Sequence, residues 1–428
     1  MLRKYRIVLI TVALLQLGFL VIQLFQQNYF LDDSAEYLRA ADNLIGERML
    51  YCGDTEKAID PALYTKRLPG YPVFLMLIRF FSTSMVPVII LQMLLSLGSV
   101  LLMLKLFSPG KQGNWLLLPL LLLFPAQFIY SNMVMTEILF QFVLMMAAFR
   151  LYRYIQTGKI GMLWLYQLLL IVAILIKPVM YLFIVPNVIL FIVLYYRSRQ
   201  RLVLISGLIP VIFVIILGGV NQQRTGYYHI SSIQQINLVD YNLYYFLMNR
   251  DGEQAARSAK ERIHITCDQV KDFKEQSECL TNAATSVFRE DLKGYALFHL
   301  KGMVRFFVDP GRFDLYNFFG IEKQQGKGFL YHLNQGGLKG AWSYFISQPV
   351  LVVIALALIA LVNLLRLFGF LAFLFNRSFK PEFRLFLFFL IAFLAFASGP
   401  LGASRFMLPL VLLLTGGAAV QYGQWIRN

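Results

Sequence analysis

The chain has 428 residues, of which 58% are hydrophobic and only 14% charged, with a mean hydropathy of +0.62. Such values exclude an ordinary water-soluble domain and indicate a chain that crosses a membrane many times. The formal charge is +16, but its distribution along the chain reads as a topology signal and argues against a nucleic-acid partner.

A bilayer core takes about 20 apolar residues as a helix. The first candidate, Ile7 to Gln26, follows Arg3, Lys4 and Arg6. It has the basic start of a signal peptide, but the apolar run is long and no small-residue cleavage site follows, so it reads as a retained first helix. A polar loop comes next, residues 27–71, containing "YFLDDSAEYLRAADNLI", "YCGDTEKAID" and "TKRLPGYP". Further spans are expected at Val86 to Phe107, Trp115 to Tyr130, Ile138 to Tyr154, Ile160 to Ile176, Val179 to Tyr196 and Leu202 to Val220. These complete an N-terminal transmembrane module over residues 1–220. Residues 221–346 form a second polar segment, whose middle, Asp251 to Phe307, is rich in helix formers and free of proline, so a helical outer domain is expected there. Aromatic residues such as Tyr244, Tyr245 and Phe246 belong to it. The C-terminal portion, residues 347–428, adds Val350 to Phe375, Leu385 to Ala397 and Phe406 to Tyr422. The expected fold is therefore all-α and polytopic, with about ten transmembrane helices.

Of the 23 acidic residues, 8 lie between Asn28 and Tyr71 and 13 between Asn221 and Phe345, leaving only Glu137 and Glu382 outside. The basic residues outside those loops gather at alternate helix ends: Lys105 and Lys111; Arg150, Arg153 and Lys159; Arg197, Arg199 and Arg201; Arg377, Lys380 and Arg384. The positive-inside rule makes those ends cytoplasmic, so both termini are expected in the cytoplasm and both long loops outside the cytoplasmic membrane. All 3 cysteines, Cys52, Cys267 and Cys279, fall in those loops. An oxidising compartment permits a bond between Cys267 and Cys279, while spacing alone leaves free thiols equally open.

The cytoplasmic connections are too short for a soluble domain, so any chemistry belongs to the outer face. Asp33 precedes Glu36 by the interval of a capping box, and Ala35, Leu38, Ala41, Leu44 and Ile45 share one helical face. Asp33 is thus expected to cap an amphipathic surface helix, yet a cap needs only one acceptor, and Asp32 beside it has no such explanation. Glu137 stands at the edge of an apolar segment, where an acid is either functional or simply favoured by the helix dipole. Three cations share that side: Arg67, Lys177 and Arg405. They either snorkel to headgroups or clamp a phosphate, Arg with paired bonds and Lys as a point charge. Carboxylates beside a phosphate clamp, away from cytoplasmic nucleotide sugars, suit transfer of a glycosyl group from a lipid phosphate to a hydroxyl. The 4 histidines show no metal-ligand spacing, and a divalent metal is left open.

The segments "DDSAEYLRAADNLI", "RLPGYPVFLMLI", "SNMVMTEILFQFVL" and "GASRFMLPL", in that order, resemble the GT-C membrane glycosyltransferases of the protein mannosyltransferase and lipid A aminoarabinose transferase type, glycosyltransferase family 39. The resemblance implies a sugar donor on a polyprenyl monophosphate, a catalytic carboxylate in the first outer loop, and inversion by a single displacement. Asp33 matches that acid, followed by a small residue and then Tyr37, with Asp32 as the neighbour that shares the role. Glu137 matches the second-loop acid, although Thr136 stands where some members carry an Asp before it. Arg405 matches a late arginine near the donor phosphate. The acceptor, whether glycan, lipid or protein, does not carry over.

Two other readings stay open. An O-antigen ligase or polymerase would place catalysis on His229, His264 or Arg305 and leave Asp33 and Glu137 without a task. A flippase of lipid-linked sugars would be expected to show internal repeats and midplane polar residues.

Overall fold

The computed structural model describes residues 2–320, 337, 339, 340, 342–344 and 346–427. The stretch 321–336, which belongs to the expected outer segment, lies outside them. Every regular element among the described residues is helical. Eight helical segments are long and apolar enough to cross a membrane: Arg6–Gln26, Val86–Phe107, Glu137–Thr157, Pro178–Ser198, Arg201–Thr225, Val350–Phe373, Pro381–Leu401 and Ser404–Trp425. The chain is thus an all-α polytopic membrane protein.

In chain order the elements needed below are α1 (Arg6–Gln26), α2 (Ser34–Gly46), α3 (Gly70–Arg79), α4 (Val86–Phe107), α5 (Lys111–Leu122), α6 (Ala126–Tyr130), α7 (Glu137–Thr157), α8 (Gly161–Ile176), α9 (Ile184–Ser198) and α10 (Arg201–Thr225). Helix α8 fills the expected run Ile160 to Ile176 with 16 residues, short for a full span, and one expected span differs. The run Trp115 to Tyr130 is broken into α5 and α6, because Pro125 has no N–H to give and disfavours helical geometry at Phe124. The break frees the carbonyl of Leu120, which accepts from Arg366 Nη2 at 2.6 Å. That arginine is fully buried, and its other donors go to Thr415 and Asn363.

Helix α2 turns inward a face that matches the expected one only in part, through Ala41 and the half-buried Leu38. Its buried residues are Ser34, Tyr37, Ala40 and Ala41, whereas Ala35 and Ile45 are exposed. The reason is Tyr37, which packs edge-on against Tyr71 of α3, with ring centroids 5.1 Å apart.

The polar segment folds as α11 (Ile233–Ile236), a π-helical turn Asn237–Leu243, α12 (Tyr244–Arg250), α13 (Glu253–Cys267), α14 (Phe273–Glu290), α15 (Leu292–Val308) and α16 (Arg312–Phe318). Asp272 and Asp291 cap α14 and α15 by accepting from the backbone N–H of Glu275 and Gly294. Cys267 and Cys279 are joined as a disulfide. Val239, Leu243, Phe246, Leu247, Phe288 and Phe298 make this unit's own small core.

The C-terminal helices are α17 (Val350–Phe373), α18 (Pro381–Ser398) and α19 (Ser404–Trp425). Helix α19 is the centre of the bundle, buried along most of its length. Its Gly416 and Gly417 admit Phe107, Phe370 and Phe373 where a side chain would collide, the close packing that small residues allow in apolar surroundings. At one end of the bundle Lys4 donates to Pro109 O, Lys380 donates to Ile155 O, and Arg197 pairs with Glu382. The basic connections therefore share one end, and the acids of the first loop lie at the other.

Candidate active site

Five separate elements converge at the acid-bearing end. Asp33 immediately precedes α2. Its expected capping bond is absent, because its own backbone is already helical and its carboxylate is engaged elsewhere. Oδ1 accepts from Arg67 Nη2 at 2.6 Å, and Oδ2 accepts from Arg405 Nη2 at 2.9 Å. Charge-assisted bonds to two guanidinium groups outweigh a single bond to a backbone N–H. Glu36 likewise does not reach back to complete a capping box. It accepts from Lys66 Nζ at 2.6 Å and Arg67 Nε at 2.7 Å.

Glu137 is the first residue of α7 and is fully buried. Its Oε1 accepts from Arg405 Nε at 2.7 Å and Lys177 Nζ at 3.0 Å. Arg405 enters at the second position of α19, and Lys177 lies between α8 and the turn that begins at Pro178. A residue before proline is pushed into extended geometry, and Lys177 adopts φ −128° and ψ 107°. That bend ends α8 at the point where its ammonium meets Glu137.

Arg67 completes the ring from the loop before α3. Its guanidinium stacks over the Tyr37 ring at 4.7 Å and donates to the Tyr37 hydroxyl at 3.3 Å. The loop is held from the late segment: Ser231 Oγ donates to Thr65 O at 2.8 Å, and Ser232 Oγ donates to Ala62 O at 2.6 Å. Gly70 lies so close to the end of α8 that a Cβ there would stand 2.7 Å from Ile176 N. The close approach brings Arg67 and Lys177 to the same site.

Asp33, Glu137, Arg67, Lys177 and Arg405, each singled out from the sequence, thus form one continuous ionic network. Asp32 does not join it: its side chain is exposed and makes no hydrogen bond or ion pair among the described residues. Glu36 and Lys66 do join it, although in the sequence they resemble ordinary loop charges. Three carboxylates therefore face four cations, an excess of one positive charge. Burial alone would raise the pKa of Asp33, but the neighbouring Arg67 and Arg405 hold it far below the usual carboxylate range. Burial holds the Tyr37 hydroxyl protonated, raised to about 12 against the pull of Arg67.

Behind Arg405 is a second acidic group that sequence reading missed. Asp314 of α16 accepts from Tyr130 Oη at 2.7 Å and from Ser404 Oγ, and Asp309 accepts from Ser404 N at 2.7 Å. Arg405 also lies 5.9 Å from the Tyr130 ring. Both acids sit in a loop whose charges nearly balance, which hid them.

His229, His264 and Arg305 stand outside the network. His229 is buried between Thr65 Oγ1 at 2.7 Å and Tyr227 O at 2.8 Å, so both ring nitrogens are occupied, and the contact to Thr65 joins the two polar segments. His264 meets Asp240 at 3.0 Å. Among the described residues no three His, Cys, Asp or Glu side chains converge in a way that could hold a metal ion; Asp33 and Glu137 share Arg405 instead.

Fold and site together define a polytopic membrane protein with a partly buried, net-positive ionic centre at one end of its bundle. Compared with known proteins, the chain matches no family model, and no curated protein shows significant similarity to it.

Proposed function

We propose that this protein is an integral glycosyltransferase of the cytoplasmic membrane. It transfers a sugar from a polyprenyl-phosphate donor to a hydroxyl of a glycan, lipid or protein on the extracytoplasmic face, with inversion. The reading rests chiefly on one observation: Arg67, Lys177 and Arg405, cations suited to a phosphate, are held by Asp33 and Glu137, acids suited to an acceptor hydroxyl. The GT-C resemblance points the same way, as does the basic end of the bundle, which by the positive-inside rule faces the cytoplasm with both termini.

In the ligand-free arrangement the carboxylates neutralise the cations. A donor phosphate competes for Arg405 and Arg67, whose guanidinium forks match its oxygens. As they turn to the phosphate, Asp33 loses the positive charges that hold its pKa down and becomes a better base. The acceptor oxygen then attacks the anomeric carbon as its proton passes to Asp33. The bond from that carbon to the phosphate oxygen breaks with its electron pair, and the cations hold the departing polyprenyl phosphate. Glu137 keeps Arg405 and Lys177 aligned.

The test is Asp33→Asn in membrane vesicles supplied with a polyprenyl-phosphate sugar. Normal expression with transfer reduced at least about 100-fold is expected, the loss typical of a missing general base. Full activity in that variant would remove Asp33 from the chemistry.

A further inference from the structure

A second basic site lies away from the ionic network. A cavity of about 330 Å³ is lined by Arg48, Met49, Leu50, Tyr64 and Arg224. Both arginines are exposed, and no carboxylate lines the cavity. Among the described residues neither guanidinium makes a hydrogen bond, ion pair or ring contact, so both are free to meet an anion. The two arrive from distant parts of the chain: Arg48 just beyond the C-terminal end of α2, Arg224 in the last turn of α10. Helix α2 alone separates Arg48 from Asp33 by 13 residues, or roughly 20 Å of helix.

The depth of the site follows from α10. Its apolar stretch Leu202 to Val220 covers about 28 Å at 1.5 Å per residue, enough to fill a hydrocarbon core. Arg224 lies four residues beyond Val220, about 6 Å further along the axis, within the headgroup layer. Tyr228, half-exposed and packed on Gly218 of the same helix, suits that boundary. Two unpaired guanidinium groups at phosphate depth, beside apolar Met49 and Leu50, match a phosphodiester headgroup with the upper part of its acyl chain.

The geometry points to a binding site for the phosphate of an anionic membrane lipid, held between Arg48 and Arg224 and separate from the ionic network. The site is independent of the proposed transfer reaction. It fixes the end of α2 opposite to Asp33 at the membrane surface.

Native mass spectrometry of the full chain released from detergent, with phosphatidylglycerol added, tests it. Wild-type protein is expected to retain phosphatidylglycerol in preference to phosphatidylcholine. The Arg48→Gln/Arg224→Gln pair is expected to bind it at least about tenfold more weakly, with an unchanged melting temperature, and Arg48→Lys/Arg224→Lys to keep most of the binding. Unchanged retention in the Gln pair would overturn the site. Equal retention of phosphatidylcholine would overturn recognition of charge, and displacement by an equal concentration of inorganic phosphate would overturn the lipid as occupant. The last two arms use wild-type protein alone and decide the matter even where the Gln pair does not fold.

Discussion

At the scale of single residues, what matters is which partner a charge finds. Asp33 carries the local signature of a helix cap, but a pattern of four neighbouring residues carries no information about Arg67 or Arg405, which reach it from far along the chain. Arg67, Glu137, Lys177 and Arg405 were legible because a charge bordering an apolar run is costly and stands out. Asp314 was not, since nothing local marks an acid in a mixed-charge loop as buried. Burial raises its pKa to about 6, against the hydrogen bonds from Ser404 and Tyr130. Because this folded value exceeds the ordinary 3.8, the stability linked to it is complete below about pH 4 and is lost as pH rises through 6. Asp33 has the opposite sign: its folded pKa is depressed, so its contribution is present above the ordinary carboxylate pKa and is lost on acidification. Asp314→Asn removes only the first of these terms. Thermal unfolding from pH 4 to 7 should therefore show wild type losing ground to the variant as pH rises, by on the order of 2 kcal/mol. A constant difference across that range would mean that Asp314 titrates normally.

At the scale of elements, backbone contacts aim the charges. The break between α5 and α6 was readable from Pro125, yet a continuous apolar run argues for one span, and periodicity alone does not weigh a missing N–H against hydrophobicity. The inward face of α2 was legible in Ala41 and Leu38 but misjudged in Ile45 and Tyr37: Ile45 is more apolar, but Tyr37 has both Tyr71 and Arg67 to pack against. The motif "RLPGYP" was noticed for its arginine, whereas its glycine does the positioning. Gly70 approaches the last turn of α8 so closely that a methyl group would meet the backbone of Leu175 and Ile176 at 2.7 Å. Neither atom is the movable end of a side chain, so α3 and α8 must separate, and with them Arg67 and Lys177. Gly70→Ala should destabilise the protein by about 1–3 kcal/mol, the usual cost of overpacking. It should also lower phosphate-dependent donor binding more than a surface substitution such as Gly46→Ala, whose added methyl meets open space. An unchanged melting temperature for Gly70→Ala would show that the contact is slack.

At the scale of the whole molecule, the two ends of the bundle differ chemically. One gathers the short basic connections, tied by Lys4, Lys380 and Arg197; the other holds the ionic network and the helical unit closed by Cys267 and Cys279. A disulfide persists in an oxidising compartment and basic connections stay in the cytoplasm, so both features agree with the proposed orientation, which a labelling experiment can test. The native cysteines leave room for a direct test, because Cys52 is buried and the other two are bonded. Ser108, between α4 and α5, and Ser286, on α14, are both exposed. In intact cells a membrane-impermeant maleimide should label Ser286→Cys and spare Ser108→Cys until the membrane is opened. Labelling of Ser108→Cys in sealed cells would invert the molecule and put the ionic network in the cytoplasm. There nucleotide sugars are available, and the argument for a lipid-linked donor would fail with it.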